Sequence, residues 1–466
     1  MNTTPHVPAN YVHSPISRYK GNPFIEALPP LSGTKAEFIT AVANYPDPPT
    51  TATRALSEID RMSELHALND LVFPFPQYQQ AGLALAMMLR ESYVARNPLE
   101  IVDRQRRHAL ATSSQEPGLY PVDWKSSATG HTLMSISGMG KTTFLNAALL
   151  RYPQVVEHCQ YGDTRLNCRQ IVYLKLSIPH DGTLRSLCLD FFGQIDRMLG
   201  TEYRREARSY RTIAPMQSQM IRVANAVSLG TLFLDELQNL RSAKGLQADL
   251  VLNMLSNFIE EGIGLFTLCT PAVQSVLEGS VRNARKLTSS GTTFLEPMRN
   301  NSPIWQDFCE ACWDYTYVKH KARLTKEIVN AWYRASAGNT AFAMLAFSLT
   351  QQAEIGGAER VDEIGFERVS VTRMAFLQPA IAALLSNCPK KLMAFDDLIF
   401  SERFRALRGC LGVKECSQSY PAETEFDEWN ESKSPIQPQS RGRRSPHKGN
   451  QEDERILLPM ENPLTK

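Results

Sequence analysis

The sequence predicts an α/β fold in which a parallel sheet is flanked by helices and carries a phosphate-binding loop. Three observations predict it: the run Ser135-Ile-Ser-Gly-Met-Gly-Lys-Thr-Thr143, the apolar run Thr231-Leu-Phe-Leu-Asp-Glu236, and the alternation of short apolar runs with helical stretches around both. A glycine-containing turn ending in Lys-Thr suits a nucleoside triphosphate, and a strand ending in two carboxylates suits a magnesium ion and an attacking water. Together they predict an ATPase.

In the first run, Gly138 and Gly140 let successive backbone N–H groups turn toward phosphate oxygens, and the helix starting near Lys141 adds the positive end of its dipole. Ser137, Gly138, Met139, Gly140, Lys141, Thr142 and Thr143 are therefore the candidate nucleotide-binding residues. Lys141 reaches the outer phosphates as a point charge, and the Thr142 hydroxyl is a magnesium ligand. His131 to Ile136 reads as a short buried strand before the loop, and Phe144, Leu145, Ala148 and Leu149 mark the inner face of the helix after it. The usual pattern opens on glycine where this chain has Ser135. A chance turn between strand and helix is the competing explanation.

In the second run, Leu232, Phe233 and Leu234 suit a central strand buried on both faces. Asp235 then holds the magnesium shell and Glu236 polarises water, a pairing of carboxylates that a divalent cation relieves of mutual repulsion. A solvated acidic strand end is the alternative.

Along the chain, residues 1–55 are rich in proline and short polar clusters and read as an extended arm with little helix. Residues 56–125 read as a helical module: Leu56, Ile59, Met62 and Leu65 recur at helical spacing, and Ala81 to Leu89 forms a second apolar face. Asp103-Arg-Gln-Arg-Arg107 and Ser113 to Gly118 read as its boundary. The core, 126–300, has strand candidates at Thr132–Ile136, Gln170–Leu176, Thr231–Leu234, Leu265–Cys269 and Thr293–Leu295, with helices such as Leu184–Leu199 and Leu250–Ile259 between them. Residues 301–410 read as a helical lid, and 411–466, with acidic Glu423–Glu431 and basic Arg441–Lys448, as a disordered tail.

Composition bounds the function only loosely. The 466 residues have room for two or three domains, and a net charge of +2 permits nucleic acid without demanding it. Nine irregularly spaced cysteines and no secretory leader pattern predict a cytoplasmic protein. Cys309-Glu-Ala-Cys312 lacks a second pair at zinc spacing, as do Cys410 and Cys416, so these cysteines read as structural. No apolar run reaches the roughly 18 residues that span a bilayer.

After the carboxylate strand, Leu265-Phe-Thr-Leu-Cys-Thr-Pro271 ends another apolar strand in Thr270, placed either to hydrogen-bond the attacking water or to cap the next helix. Val281-Arg-Asn-Ala-Arg-Lys286 then offers Arg285, with Arg282 second, as a guanidinium for phosphate charge, or else as a solvated helix face. In this order LGTLFLDELQNL, LFTLCTPAV, an arginine-bearing helix and FLEPM resemble the TnsC/TniB family of transposon-encoded AAA+ ATPases, over roughly residues 130–385. Gly338-Asn339 before an apolar helix suits that family's lid, and Tyr19 to Leu28 is similar to amino-terminal segments of some members. The resemblance implies ATP and Mg2+ as cofactors, Thr270 as a first sensor, and Arg285 acting on a neighbouring subunit's nucleotide. It further implies a homo-oligomer, ring or helical filament, that assembles on duplex DNA with ATP, contacts transposase subunits and a TniQ/TnsD-type target selector, and disassembles on hydrolysis.

Candidate DNA contacts are Arg204, Arg205, Arg208 and Arg211, interleaved with tyrosines, and Lys175 and Arg185 bordering the second strand; they suit phosphate clamping without base reading. A solvated helix connection accounts for the same residues. Two other functions use the same pocket: a helicase loader, and a nucleotide-switched signalling protein that does not bind DNA.

Overall fold

The computed structural model describes residues 6–31, 33–112, 121, 123–386, 389–392 and 395. The tail expected at 411–466 lies outside the described residues, as do Cys410, Cys416 and Ser113 to Gly118.

Among the described residues, eight strands form two sheets: β1 (His6–Pro8), β2 (Gly130–Ser135), β3 (Val155–Tyr161), β4 (Thr164–Ile171), β5 (Tyr173–Ser177), β6 (Thr231–Asp235), β7 (Gly264–Cys269) and β8 (Thr292–Leu295). The main sheet has the order β5-β6-β7-β2-β8 and is parallel throughout. Period-two alternation explains why it is buried on both sides. Leu133, Phe233, Phe266 and Leu268 enter one core cluster, whereas Leu232, Leu234 and Leu265 enter the other. The first cluster also holds Ala81, Leu85, Ala86, Met88 and Leu89 of the helix Gln77–Val94, and the second holds the apolar faces of the helices Leu184–Leu199, Ile213–Ala226 and Gln247–Glu260.

The expected strand Gln170–Leu176 is two strands. The chain changes sheets at Val172: β4 pairs antiparallel with β3, and β5 pairs parallel with β6. With β1 on the other side of β3, the hairpin makes a small second sheet. A single apolar run conceals this break because both halves are buried.

The amino-terminal segment differs from an extended arm. It contains short helices at Pro23–Glu26, Lys35–Thr40 and Thr51–Arg54, and it is pinned down. Buried Glu26 accepts from the Tyr161 hydroxyl at 2.6 Å and from the Gly21 N–H at 3.0 Å, and Asn22 Nδ2 donates to the Tyr93 carbonyl at 2.7 Å. Nor does the charged run at 103–107 form a boundary. It lies in the helix Ile101–Thr112, where buried Asp103 accepts from Arg106 at 3.1 Å and Arg107 at 2.6 Å. Paired charges can be buried, which polarity alone does not reveal.

Of the apolar face expected at Leu56, Ile59, Met62 and Leu65, Leu65 is buried and Met62 packs against the core, whereas the first two positions depart. Ile59 is 76 % exposed and Leu56 41 %, while Arg61 is buried. The guanidinium grips Glu359 of the lid bidentately, Nη1 to Oε2 at 2.6 Å and Nη2 to Oε1 at 2.7 Å, and Nη1 also donates to the Tyr317 carbonyl at 3.2 Å. That rotates the helix Glu58–Glu64 away from its apolar pattern. Arg54 Nε to the Thr316 carbonyl at 2.9 Å and the Tyr315 hydroxyl to the Pro46 carbonyl at 2.6 Å add to the strap.

The lid comprises the helices Pro303–Trp313, Lys326–Ser336, Thr340–Glu354, Glu363–Thr372 and Gln378–Ser386. Its centre is aromatic: Trp332 stacks on Phe347 at 4.7 Å and on Phe366 at 5.3 Å between ring centroids. Cys309 and Cys312 are buried in the same core, where burial pushes both thiols up. Among the described residues no group of three or more His, Cys, Asp or Glu side chains could hold a metal, and no single helix is long and apolar enough to cross a membrane.

Chiefly through the Arg61 hydrogen bonds, the Glu359 carboxyl is held at about 2, below its ordinary 4.5. A carboxyl with a depressed folded-state pKa adds stability that is present above pH 4.5 and lost as pH falls toward 2. Glu359→Ala should cost about 3–5 kcal/mol by stranding a buried guanidinium, read from the urea midpoint, and should flatten the stability profile across that acid window.

Candidate nucleotide site

The site lies at the carboxyl ends of β6, β7 and β2, where open parallel sheets bind ligands. Because β7 separates β2 from β6, three strand ends converge: the loop after β2, Asp235 and Glu236 at the end of β6, and Thr270 just past β7.

The loop takes its shape from two glycines in the left-handed region, Gly138 at φ +82° and Gly140 at φ +83°. Gly140 caps the helix Lys141–Leu149, whose first N–H groups therefore open toward the loop. A Cβ on Gly138 would meet Asn339 Oδ1 at 2.6 Å, and one on Gly140 would meet the Tyr78 hydroxyl at 2.7 Å. The loop is thus held from two sides. From the lid, Asn339 Nδ2 donates to the Ser137 carbonyl at 2.8 Å and the Ala341 N–H to the Gly138 carbonyl at 2.9 Å. From the amino-terminal side, the Tyr78 hydroxyl donates to the Gly140 carbonyl at 3.3 Å, and its ring packs on Phe144 at 4.7 Å between centroids. Burial pushes the Tyr78 phenol well up, so it stays a donor.

Ser135 is accommodated by the loop where the usual pattern has glycine. Its backbone does not adopt positive φ, so glycine is not required, and its oxygens engage the lysine. Lys141 Nζ donates to Ser135 O and Ser135 Oγ at 3.0 Å each and to Ile136 O at 3.2 Å. Opposite it, Thr142 Oγ1 donates to Asp235 Oδ2 at 2.7 Å, bringing together the two oxygen ligands expected of magnesium. Thr143 is exposed at the helix start, and Met139 is buried beneath the loop.

Glu236 is exposed and adopts φ +61°, a left-handed conformation that strains a residue with a side chain. The Asp235 Oδ1 carboxylate oxygen accepts the Glu236 N–H at 2.9 Å. Thr270 is 3 % exposed, and its Oγ1 has no partner, so it does not serve as a helix cap. Two residues were noted in the sequence without these roles: Asn339, whose side chain clamps the loop, and Gln238, whose amide joins Glu236 to Thr270. The pair Gly338-Asn339 and the run LGTLFLDELQNL contain them, but neither signals a contact with the loop or with Thr270.

The donor set suits a nucleotide with magnesium. Hydroxyl and carboxylate oxygens match a hard cation, the two glycines leave space where side chains would collide, and Thr270 Oγ1 is a buried hydroxyl still lacking a partner. Arg285 is not part of this cluster. It is exposed on the helix Val281–Leu287, whose end packs by Gly130 at the opposite end of β2. Arg282 pairs with Glu260 at 3.3 Å, and Lys286 pairs with the same carboxylate.

The basic candidates form one group and one outlier. Arg204, Arg205, Arg208 and Arg211 lie exposed on or just after the helix Tyr203–Ser209, and Arg185 Nη1 donates to the Tyr210 carbonyl at 3.1 Å. Lys175 stands apart in β5 and donates to Asn146 Oδ1 of the loop's own helix.

Residues 126–277 match the family described as AAA domain. Comparison with curated protein sequences finds no match. Among solved structures the chain is similar to the ORC1 protein of Aeropyrum pernix in complex with DNA, at 16 % identity, covering 67 % of this chain and 77 % of that one, TM-score 0.38. It is also similar to a Walker-type ATPase of Pyrococcus abyssi, at 11 % identity, covering 62 % and 77 %, TM-score 0.35. A third is the RuvB Holliday junction branch migration motor of Thermotoga maritima, at 14 % identity, covering 68 % and 82 %, TM-score 0.28. Residues 126–277, which hold the loop and the carboxylate strand, are thus similar to the AAA domain family.

Gly140→Ala should destabilise the protein by about 1–2 kcal/mol through its left-handed backbone alone. Pairing it with Tyr78→Phe, which removes the colliding hydroxyl, should recover part of the loss in thermal midpoint.

Proposed function

We propose that the protein is an ATPase that assembles with ATP on duplex DNA and regulates transposition. The observation that carries the hydrolytic part is the Thr142–Asp235 hydrogen bond, with Glu236 next in the chain and Lys141 beside it. In this proposal Lys141 exchanges its loop carbonyls for the outer phosphates, and Thr142 and Asp235 hold magnesium. The ion, when bound, supplies charge stabilisation on the phosphate oxygens. Glu236 takes a proton from water as the water oxygen bonds to the terminal phosphorus, while the bond to the bridging oxygen breaks and ADP leaves. Thr270 Oγ1 hydrogen-bonds the water or the terminal phosphate.

Arg285 cannot serve its own site from the far end of β2, which favours action on a neighbouring copy's nucleotide. Assembly and hydrolysis are then coupled. The exposed arginines of 204–211 provide a sequence-tolerant phosphate surface, with Arg185 fixed behind them and Lys175 as a separate contact. The specific assignment to transposition, with transposase and a TniQ/TnsD-type selector as partners, rests on the likeness of LGTLFLDELQNL, LFTLCTPAV and FLEPM to the TnsC/TniB family.

Lys141→Ala should lose the calorimetric signal of ATP binding that the parent protein gives with magnesium. Glu236→Gln should keep that binding but hydrolyse about 10²–10⁴-fold more slowly. Electron microscopy of the Glu236→Gln protein with ATP and duplex DNA should show ordered assemblies. Bare DNA under those conditions, with nucleotide bound, would remove the DNA-assembly proposal while leaving the ATPase.

A further inference from the structure

We infer that Gln238 is a positioning residue for hydrolysis, whose amide ties the Glu236 carboxylate to the end of β7; the inference rests on the ATPase proposal above. Gln238 Nε2 donates to Glu236 Oε2 at 2.6 Å, and Gln238 Oε1 accepts the Thr270 N–H at 3.1 Å. The amide orientation is fixed by these partners. Turned over, it would set its NH2 against the Thr270 N–H and its oxygen against a carboxylate, leaving both contacts repulsive.

The surroundings explain why such a tie is needed. Glu236 leaves β6 in a strained left-handed conformation and is exposed, so neither burial nor a relaxed backbone holds its carboxylate in place. Gln238 sits in the short 3-10 helix Leu237–Ser242, anchored by buried Leu237 and Leu240, and projects from a rigid base. Its second partner is the backbone of the residue whose Oγ1 is buried and unpartnered. One side chain therefore links the carboxylate proposed to accept the proton to the backbone of the residue that carries the buried, unpartnered hydroxyl. Misplacement of a catalytic group by an ångström costs on the order of 100-fold in rate.

The test is steady-state hydrolysis with nucleotide affinity and thermal midpoint measured on the same full-length proteins. Gln238→Met, similar in length but without donor or acceptor, should lower kcat by roughly 10- to 100-fold while ATP affinity and midpoint stay as in the parent. In a Glu236→Gln background the same change should slow hydrolysis no further, because the group it positions is gone. Gln238→Glu keeps the acceptor for Thr270 but opposes two carboxylates. It should be slow at neutral pH and regain rate relative to the parent as pH falls and an O–H donor returns. Parental kcat in Gln238→Met, equal slowing in both backgrounds, a matching loss of affinity or midpoint, or a pH-independent defect in Gln238→Glu would each overturn the assignment. An inactive parent protein would instead remove the ATPase proposal itself.

Discussion

Segments 93 residues apart in sequence meet where the Thr142 hydroxyl donates to Asp235 across the end of an intervening strand. That meeting requires the order β6-β7-β2, since only then do the loop helix and the carboxylate strand face each other over β7. It also requires a sheet without solvent on either side. Phe233 and Phe266 pack toward the amino-terminal helix, and Leu232, Leu234 and Leu265 pack toward the helices on the other face. The position of two polar side chains thus depends on apolar alternation along three strands.

Around that contact the molecule spends its polar interactions on fixing backbone. Asn339 and Tyr78 reach the loop from segments that are distant in sequence, and both bind carbonyls rather than the groups a phosphate would use. Lys141 is likewise held by carbonyls and the Ser135 hydroxyl. The N–H groups and the helix dipole stay directed into the site, an arrangement that favours an anion.

How much of this was legible depended on the physics of each element. Four strands of the main sheet were readable as apolar runs, with the fifth, β5, fused to the end of β4, and the loop and carboxylates as motifs, because period, glycine and charge are local properties. What escaped was non-local. The break at Val172 separates the buried end of β4 from β5, which pairs in a different sheet, the Asp103–Arg106–Arg107 group, with Asp103 and Arg106 buried, looks solvent-exposed without its partners, and Arg61 displaces Ile59 from the buried side only because Glu359 arrives 298 residues later. In the site, Ser135 departs from the usual glycine but its hydroxyl lies on Lys141, and Lys175, expected to border the second strand, lies in β5 beside Asn146. Gln238 stood in the run LGTLFLDELQNL without any sign of its role, since that role consists of two contacts across a strand end.

The grip of Asn339 and Ala341 on the loop has a consequence for biosynthesis. Ser137 and Gly138 emerge from the ribosome about two hundred residues before those partners, the Asn339 contact spanning 202 positions. Domains fold progressively during translation. The sheet can therefore form while the loop after β2 still lacks half its supports, and the loop reaches this geometry only when the lid has been made.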